Sequence, residues 1–223
     1  MEQQNFRYEL AGTDRFEEIV NFLLNNFCKD EPCLQSLASR RNKSHNEFLM
    51  RDHMTRVVSD SLKDPVSFIC VNPVDNKIIG CRLNVLETRD QWTGRKNEKV
   101  DQKLTNYMYK FLDSLRVDLF EMFPDCLKLL KFRILSVEKS FQGRGIGRKL
   151  TEISLEAAIK SSGCDYVCVN ATAAATQTMF GHMGFQILKT TRHDEFLDDN
   201  GCQIFHNADG STCGMFMYKK LKT

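Results

Sequence analysis

The stretch that decides the fold runs Ile134-Leu-Ser-Val-Glu-Lys-Ser-Phe-Gln-Gly-Arg-Gly-Ile-Gly-Arg-Lys-Leu150. Its first residues predict the end of a β-strand covering Leu129–Val137, and apolar residues at helical spacing predict a helix over Gly145–Ser162. The glycines between them let the backbone approach an anion closely. The start of the helix adds unpaired N–H donors and a partial positive charge. The sequence therefore predicts a strand–loop–helix unit able to hold a pyrophosphate.

Two common phosphate-binding loops are excluded here by their spacing. A Walker loop needs Gly-Lys-Ser or Gly-Lys-Thr in register, and a dinucleotide fingerprint needs a third glycine where the chain has Arg148. A helix start that uses glycine only for close packing remains as the alternative. Seven basic residues and a single acid, Glu138, lie between Lys128 and Lys149, which favours a ligand with several phosphates.

The chain of 223 residues has a length that suits one large domain or two small ones, and since it shows no repeat or linker, one domain covering 1–223 is predicted. The patterns predict the order β-αα-ββ-α-β-α-β-α-ββ, a mixed α/β sheet. Asp14 and Glu17 predict a capping box for the first helix, which should end at a turn over Lys29–Pro32. A single long helix is predicted over Val100–Phe123.

Composition narrows the class of protein without identifying it. No run approaches eighteen apolar residues and the N-terminus lacks the apolar core of a secretory signal, so neither a membrane span nor export is expected. Nine cysteines without C-x-x-C pairs predict reduced thiols in the cytoplasm and no metal site. A net charge of +2, with the basic residues around one loop, argues against nucleic-acid binding.

The hexad Gln142–Gly147 matches the pattern Q/R-x-x-G-x-G/A and resembles the acetyl-CoA loop of the GNAT acyltransferase superfamily. Two further segments, Lys29–Pro32 and Asp198–Phe205, resemble segments of the insect arylalkylamine N-acetyltransferases. The resemblance covers nearly the whole chain. It implies a single GNAT-like α/β domain with a central mixed, mostly antiparallel twisted sheet of about seven strands flanked by helices.

The resemblance also implies roles for individual residues. Glu31 matches the family's catalytic glutamate, which acts through water as the general base, and Thr172 and Thr176 match two catalytic hydroxyls. Acetyl-CoA would be held by the strand end, the glycine loop and an asparagine, namely Leu135, Ser136, Val137, Gln142, Gly143, Arg144, Gly145, Ile146, Gly147, Arg148 and Asn170.

The chain departs from the family pattern at two places. Phe180 stands where many GNAT enzymes have the tyrosine that protonates the leaving thiolate, so the acid would be a threonine, a water or nothing. The histidine that arylalkylamine enzymes often carry before the final strand is missing around Ser211-Thr212, a departure that concerns the amine preference and not the acyl-CoA chemistry.

The function implied is acetyl-CoA-dependent N-acetylation of small arylalkylamines such as dopamine, tyramine, serotonin or tryptamine, by direct transfer in a ternary complex. The expected protein is a cytoplasmic monomer without metal, nucleic-acid or membrane partners. Alternatives are another amine (polyamine, agmatine, histamine), a longer acyl-CoA, or a non-catalytic acyl-CoA-binding module.

Simpler structural roles stay open for several of these residues. Glu31 could lie in a solvated turn, the threonines could cap a helix, and Asn170 could bond its own backbone. The five histidines are interpreted as surface or structural residues. Four aromatic residues are candidates for an aryl pocket, namely Phe27, Phe48, Tyr107 and Phe205.

Overall fold

A computed structural model describes residues 5–39, 46–92 and 103–221. Seven strands form one sheet in the order β1-β2-β3-β4-β5-β7-β6. The pairs β1–β2, β2–β3, β5–β7 and β6–β7 are antiparallel. The predicted α/β fold with a mixed, mostly antiparallel sheet of seven strands and flanking helices is confirmed.

The strands are β1 (Arg7–Leu10), β2 (Phe68–Val71), β3 (Ile78–Thr88), β4 (Lys128–Val137), β5 (Tyr166–Ala171), β6 (Gln186–Arg192) and β7 (Cys213–Lys220). The helices are α1 (Phe16–Asn25), α2 (Phe27–Asp30), α3 (Pro32–Ser39), α4 (Asn46–Ser61), α5 (Lys103–Ser114), α6 (Leu119–Met122), α7 (Ile146–Lys160) and α8 (Ala174–His182). Short 3-10 turns cover Thr13–Arg15 and Lys139–Phe141.

The chain divides into two compact units, and the first comprises Met1–Lys29, Ser44–Leu86 and Leu130–Cys164. Its core packs α1 and α4 against β2 and β3 through aliphatic side chains such as Ile19, Leu23 and Val58. A smaller cluster of Cys70, Ile79, Ile146 and Leu150 packs the start of α7 against β2 and β3. This cluster fixes the position of the glycine loop that precedes α7.

The second unit comprises Asp30–Lys43, Glu87–Leu129 and Asp165–Thr223. Its core is richer in aromatic side chains, including Phe111, Phe120, Phe205 and Phe216, and it also buries Cys33 and Leu37 of α3. The long loop between β6 and β7 contributes Ile204 and Phe205 to this core. The unit therefore brings α3, α5 and the β6–β7 loop into one packed cluster.

The predicted capping box at Asp14 and Glu17 is wrong. The structure places a 3-10 turn there, and α1 begins after Arg15 without a side-chain cap. The same spacing works at Asp118 and Glu121, where the Asp118 carboxylate accepts hydrogen bonds from the backbone N–H groups of Phe120 and Glu121. That cap starts α6 and divides the single helix predicted over Val100–Phe123; residues 100–102 of that range lie outside the described residues.

The turn predicted over Lys29–Pro32 is replaced by two helices. Phe27–Asp30 forms the single turn of α2, and Pro32 begins α3. Proline is favoured at the first position of a helix because its φ angle already suits the helix and its missing N–H is not needed there. The predicted strand Leu129–Val137 and the predicted helix Gly145–Ser162 lie within two residues of β4 and α7.

No helix within the described ranges is long and apolar enough to cross a membrane. Across residues 5–39, 46–92 and 103–221, no three His, Cys, Asp or Glu side chains are grouped so that they could hold a metal ion.

Candidate active site

The glycine loop between β4 and α7 has the backbone geometry that the sequence predicts. Gly143 and Gly145 have φ angles of +75° and +81°, a left-handed conformation that other residues adopt only with strain. Gly145 is the N-cap of α7 and makes no side-chain cap hydrogen bond. A Cβ atom added at either glycine would meet nothing within 4 Å. The start of α7 therefore presents open space at the positions where backbone N–H groups lack intrahelical partners.

The side chains of this loop make mostly local contacts. Gln142 donates from Nε2 to the Val137 carbonyl oxygen at 2.9 Å, so its side chain closes the loop. The Arg144 guanidinium donates to the Ser140 carbonyl at 3.2 Å and lies over the Phe141 ring. Arg148 pairs with Glu152, one turn further along α7, at 2.9 Å. The loop is thus organised by its own residues, and its cations are exposed.

Residues at the end of β4 support the loop from the sheet. Leu135 and Val137 contact the position that a Cβ of Gly147 would occupy, at 3.5 and 3.7 Å. Ser136 is buried, and its carbonyl oxygen would lie 3.3 Å from a Cβ at Gly80 on the neighbouring β3. The tight approach is at Gly80 and not within the loop, because a Cβ at Gly147 would make ordinary contacts and one at Gly143 or Gly145 would meet nothing within 4 Å.

Asn170, the remaining residue assigned to acetyl-CoA, belongs to the second unit. It lies in β5 opposite Phe216 of β7. Its Oδ1 atom is buried and has no hydrogen-bond partner among the described residues. The side chain therefore does not bond its own backbone through Oδ1.

Glu31 lies at the N-terminus of α3 and is buried, with 6% of its surface exposed. Its Oε2 accepts the backbone N–H of Leu34 at 2.6 Å, which is the bond of a helix N-cap. Its Oε1 accepts the hydroxyl of Thr172 at 2.8 Å, a residue 141 positions later in the chain. Glu31 therefore caps a helix with one oxygen and accepts the hydroxyl of Thr172, a second candidate catalytic residue, with the other.

Burial raises the pKa of the Glu31 carboxyl group, and the nearby Asp209 carboxylate adds to this effect. Hydrogen bonds from the Leu34 N–H, the Thr172 hydroxyl and the Cys33 N–H lower the pKa, but burial is the larger effect. A carboxylate with a raised pKa is a stronger base than an exposed one, which brings it closer to the range useful for proton transfer at neutral pH.

The two predicted hydroxyls lie in different settings. Thr172 reaches Glu31, whereas Thr176 donates to the Ala173 carbonyl at 2.8 Å and so stabilises the first turn of α8. Phe180, in place of the tyrosine, is buried and packs against Phe185 with ring centroids 4.9 Å apart. Among the three positions, the structure brings only Thr172 to the predicted base.

A polar network that the sequence did not predict lies near Glu31 in the second unit. Asn207 Nδ2 lies 2.9 Å from Ser211 Oγ and 3.4 Å from Cys33 Sγ. The Ser211 hydroxyl donates to Asp209 Oδ1 at 2.7 Å, and Asp209 Oδ2 accepts the Ala174 N–H at 2.8 Å. These contacts connect α3, the β6–β7 loop and the start of α8.

His193 is also part of this network, and of the two predicted settings for the histidines, surface or structural, it has the structural one. It is 2% exposed, and its Nδ1 lies 3.2 Å from the Ser211 carbonyl oxygen. Its ring contacts Phe111 and Phe205. The only available sequence signal was the polarity of the β6–β7 loop, because His193 and Ser211 are 18 positions apart and no local spacing connects them.

The four candidates for an aryl pocket do not all belong to one packed cluster. Phe205 is fully buried in the second unit, and Tyr107 is partly buried against the same cluster. Phe27 packs against the core of the first unit, and the side chain of Phe48 lies outside the described residues.

Comparisons with known proteins show what this chain is similar to. The family described as "Acetyltransferase (GNAT) domain" matches residues 115–187. A search of curated proteins found no match. Arylalkylamine N-acetyltransferase 2 from Aedes aegypti superposes with a TM-score of 0.84, with 26% identity over 98% of this chain and 100% of the mosquito chain.

Two further structures share the fold at lower identity. The Drosophila melanogaster polyamine N-acetyltransferase, described as forming N-acetylagmatine, has a TM-score of 0.78 and 16% identity over 97% of this chain and 100% of the fly chain. An agmatine N-acetyltransferase has a TM-score of 0.77 and 16% identity over 97% of this chain and 99% of its own.

Residues 115–187 thus match a GNAT acetyltransferase domain, and the fold of the whole chain is that of solved N-acetyltransferases, which supports an acyl-CoA-dependent N-acyltransferase. Within that class it resembles the insect arylalkylamine N-acetyltransferases, represented by the Aedes aegypti enzyme.

Proposed function

We propose that this protein transfers the acetyl group of acetyl-CoA to the primary amine of small arylalkylamines, with Glu31 as the water-assisted general base. The observation that carries the proposal is the buried Glu31 carboxylate, held by the Thr172 hydroxyl in a chain with a GNAT domain. The likeness to the Aedes aegypti enzyme supports an arylalkylamine as the substrate.

The chemistry requires a base because an amine with a pKa of about 10 is mostly protonated at neutral pH. Glu31 attracts the ammonium group and accepts its proton through a water molecule. The free amine then forms the N–C bond at the thioester carbonyl as the C–S bond breaks, and the acetyl group moves directly between the two bound substrates. The raised pKa of Glu31 suits this step.

Acetyl-CoA, as the second substrate, supplies the activated acetyl group. The loop over Gln142–Arg148 would bind its pyrophosphate, while the β4 backbone at Leu135–Val137 and the Asn170 amide would hold the pantetheine arm. Support comes from the positive φ angles and open space at Gly143 and Gly145, and from the Asn170 Oδ1 atom without a described partner. Exposed cations beside the loop suit phosphate groups.

Thr172 is proposed as the hydroxyl that holds Glu31 in position. Thr176 remains a candidate for protonating the thiolate, although its hydroxyl already donates to the Ala173 carbonyl. Phe180 has no proton to give, so a water molecule is the other candidate for this step.

A polyamine or agmatine is the second candidate amine, favoured by the shared fold with the Drosophila enzyme. We further propose that the protein forms one domain over 1–223 and works as a cytoplasmic monomer. All nine cysteines are free and eight are at least partly buried, which fits a reducing compartment. Light scattering at micromolar concentration tests the monomer.

The deciding experiment measures thiol release from acetyl-CoA with tyramine, dopamine, tryptamine, histamine, agmatine and spermidine. Glu31→Gln should lower kcat about 10²- to 10⁴-fold, the usual contribution of a general base, while acetyl-CoA still binds in calorimetry. Glu17→Gln, an exposed glutamate in the first turn of α1, is the matched control and should keep wild-type turnover. Full activity of Glu31→Gln across pH 6 to 9 would remove Glu31 from the mechanism, and absence of amine-dependent release would refute the proposed substrates.

A further inference from the structure

Two buried hydrogen-bond acceptors in the second unit have no donor among the described residues. They are Nε2 of His193 and Oδ1 of Asn207, and both side chains contact Ser211. Buried polar atoms are almost always hydrogen-bonded, so two unpartnered acceptors in one cluster call for an explanation.

The direction of the hydrogen bonds fixes the orientation of Asn207. The Ser211 hydroxyl has a single proton, and it donates that proton to Asp209 Oδ1 at 2.7 Å. Ser211 Oγ can therefore only accept from the Asn207 side chain, 2.9 Å away. This requires the NH₂ group of the amide to face Ser211, and it leaves Oδ1 as the open acceptor.

The tautomer of His193 follows in the same way. Its Nδ1 faces the Ser211 carbonyl oxygen at 3.2 Å, and a carbonyl only accepts, so Nδ1 carries the proton. Burial lowers the pKa of His193 despite the opposing effects of the Ser211 carbonyl, Asp209 and Asp194, which favours the neutral ring. Nε2 then holds a lone pair, and any ligand that satisfies it must be a hydrogen-bond donor.

The His193 ring packs among aromatic side chains. The Phe111 and Phe205 ring centroids lie 5.3 and 5.6 Å from that of His193, and Phe196 stacks on Phe205 at 5.6 Å. A single acceptor among aromatic faces suits a flat ring that carries a donor at its edge. An aliphatic polyamine has no aromatic ring to pack against these faces.

The same network reaches the predicted base. Asn207 contacts Cys33, two residues from Glu31, and Asp209 holds the N–H of Ala174, two residues from Thr172. The open acceptors thus belong to the group of loops that positions Glu31 and Thr172.

We propose that His193 Nε2 and Asn207 Oδ1 select amines whose aromatic ring bears a donor, a phenolic hydroxyl or an indole N–H. His193 Nε2 accepts the single proton of the ring donor, and Asn207 Oδ1 is the acceptor for a second ring hydroxyl, as in a catechol. The inference rests on the proposed function, since it assumes that an arylalkylamine is the substrate whose amine is deprotonated by Glu31.

The first test needs no variant. We expect kcat/KM of the wild-type protein to be at least about tenfold higher for tyramine than for phenethylamine, which lacks only the ring hydroxyl. A site built to bind a hydroxyl discriminates strongly against the analogue without it, because its buried acceptor stays unpaired.

His193→Phe removes the acceptor and keeps an aromatic ring. The tyramine-to-phenethylamine ratio should fall towards one, mainly through loss of tyramine activity, while thermal melting checks that the variant is folded. His182→Phe, on the exposed last turn of α8, is the control and should keep the wild-type ratio.

The outcomes separate this inference from the proposed function. Equal kcat/KM for tyramine and phenethylamine in the wild-type protein overturns the inference while the acetyltransferase proposal stands; an unchanged ratio in folded His193→Phe does the same. A clear preference for agmatine or spermidine over both also overturns it. Absence of thiol release with every amine refutes the proposed function itself.

Discussion

The Glu31 carboxylate is influenced by two neighbours that act on its basicity in opposite directions. Burial raises its pKa, the Asp209 charge raises it further, and the Thr172 hydroxyl lowers it by bonding the ionised form. The two neighbours can be removed separately by substitution. The role of Glu31 as the base can therefore be tested by the direction in which the pH dependence of kcat shifts, as well as by loss of activity.

We expect Thr172→Val and Asp209→Asn to move the acid limb of the plot of kcat against pH in opposite directions. Loss of the Thr172 hydroxyl removes a bond to the carboxylate, so the limb should move to higher pH. Loss of the Asp209 charge lowers the pKa of Glu31, so the limb should move to lower pH. Steady-state rates at saturating substrates between pH 5 and 9 measure both shifts.

Two variants serve as controls for this pair. Thr172→Ser keeps the hydroxyl and should keep the wild-type limb, and Asp194→Asn removes an exposed charge that pairs with Arg192. Shifts of the same sign in Thr172→Val and Asp209→Asn would show that the limb reports a group other than Glu31.

At the scale of residues, the sequence was sufficient to predict the catalytic acid and hydroxyl candidates that lie in recognisable segments. It was not sufficient to predict the polar network near them. Glu31 and Thr172 were predicted through resemblance, and their contact joins positions 141 apart. Asn207, Asp209 and His193 carry no such signal, because their roles depend on how the β6–β7 loop packs against α3. The interpretation of His193 as structural left out its buried, unpartnered Nε2.

At the scale of elements, the loop between β4 and α7 was predictable because its chemistry is local. Strand, glycines and helix follow one another within seventeen residues, and their order in sequence is their order in space. The helices that start at Pro32 and after Asp118 were not predicted. A proline or an Asp-x-x-Glu pattern can mark the start of one helix or the end of another, and tertiary packing decides between the two.

Gly145→Ala should weaken acetyl-CoA binding more than it weakens the fold. The left-handed φ of +81° costs an alanine about 1–2 kcal/mol, since no clash adds to it. The new methyl group projects into the open space at the start of α7, so KM for acetyl-CoA should rise several-fold while KM for the amine changes little. Urea unfolding and initial rates measure the two effects.

Gly181→Ala provides the comparison within a helix. Gly181 lies inside α8 with nothing within 4 Å of an added Cβ and no positive φ. Alanine should therefore stabilise the protein by up to about 1 kcal/mol and leave KM for acetyl-CoA unchanged. Equal KM values for the two variants would remove the loop's assigned role in phosphate binding.

At the scale of the whole molecule, the small net charge conceals an uneven distribution. The totals of 31 basic and 29 acidic residues nearly cancel, yet one segment, Lys128–Lys149, holds seven bases and one acid. Arg133 and Arg148 within it already pair with Asp60 and Glu152, so they contribute less field than their number suggests. The other exposed cations of this segment would interact with the phosphate groups of acetyl-CoA if the adjoining loop binds it.

Salt should therefore weaken acetyl-CoA binding, and the effect should depend on where the charge lies. Lys149, on the first turn of α7, is exposed beside the loop, whereas Lys160 at the other end of the helix pairs with Glu156. The two are about 16 Å apart along the helix axis, beyond the screening length of about 10 Å at 0.1 M salt. Lys149→Gln should raise KM for acetyl-CoA a few-fold at 20 mM salt and little at 500 mM, while Lys160→Gln should match the wild-type protein at both. Equal salt dependence in all three proteins would mean that acetyl-CoA is bound without help from this basic segment.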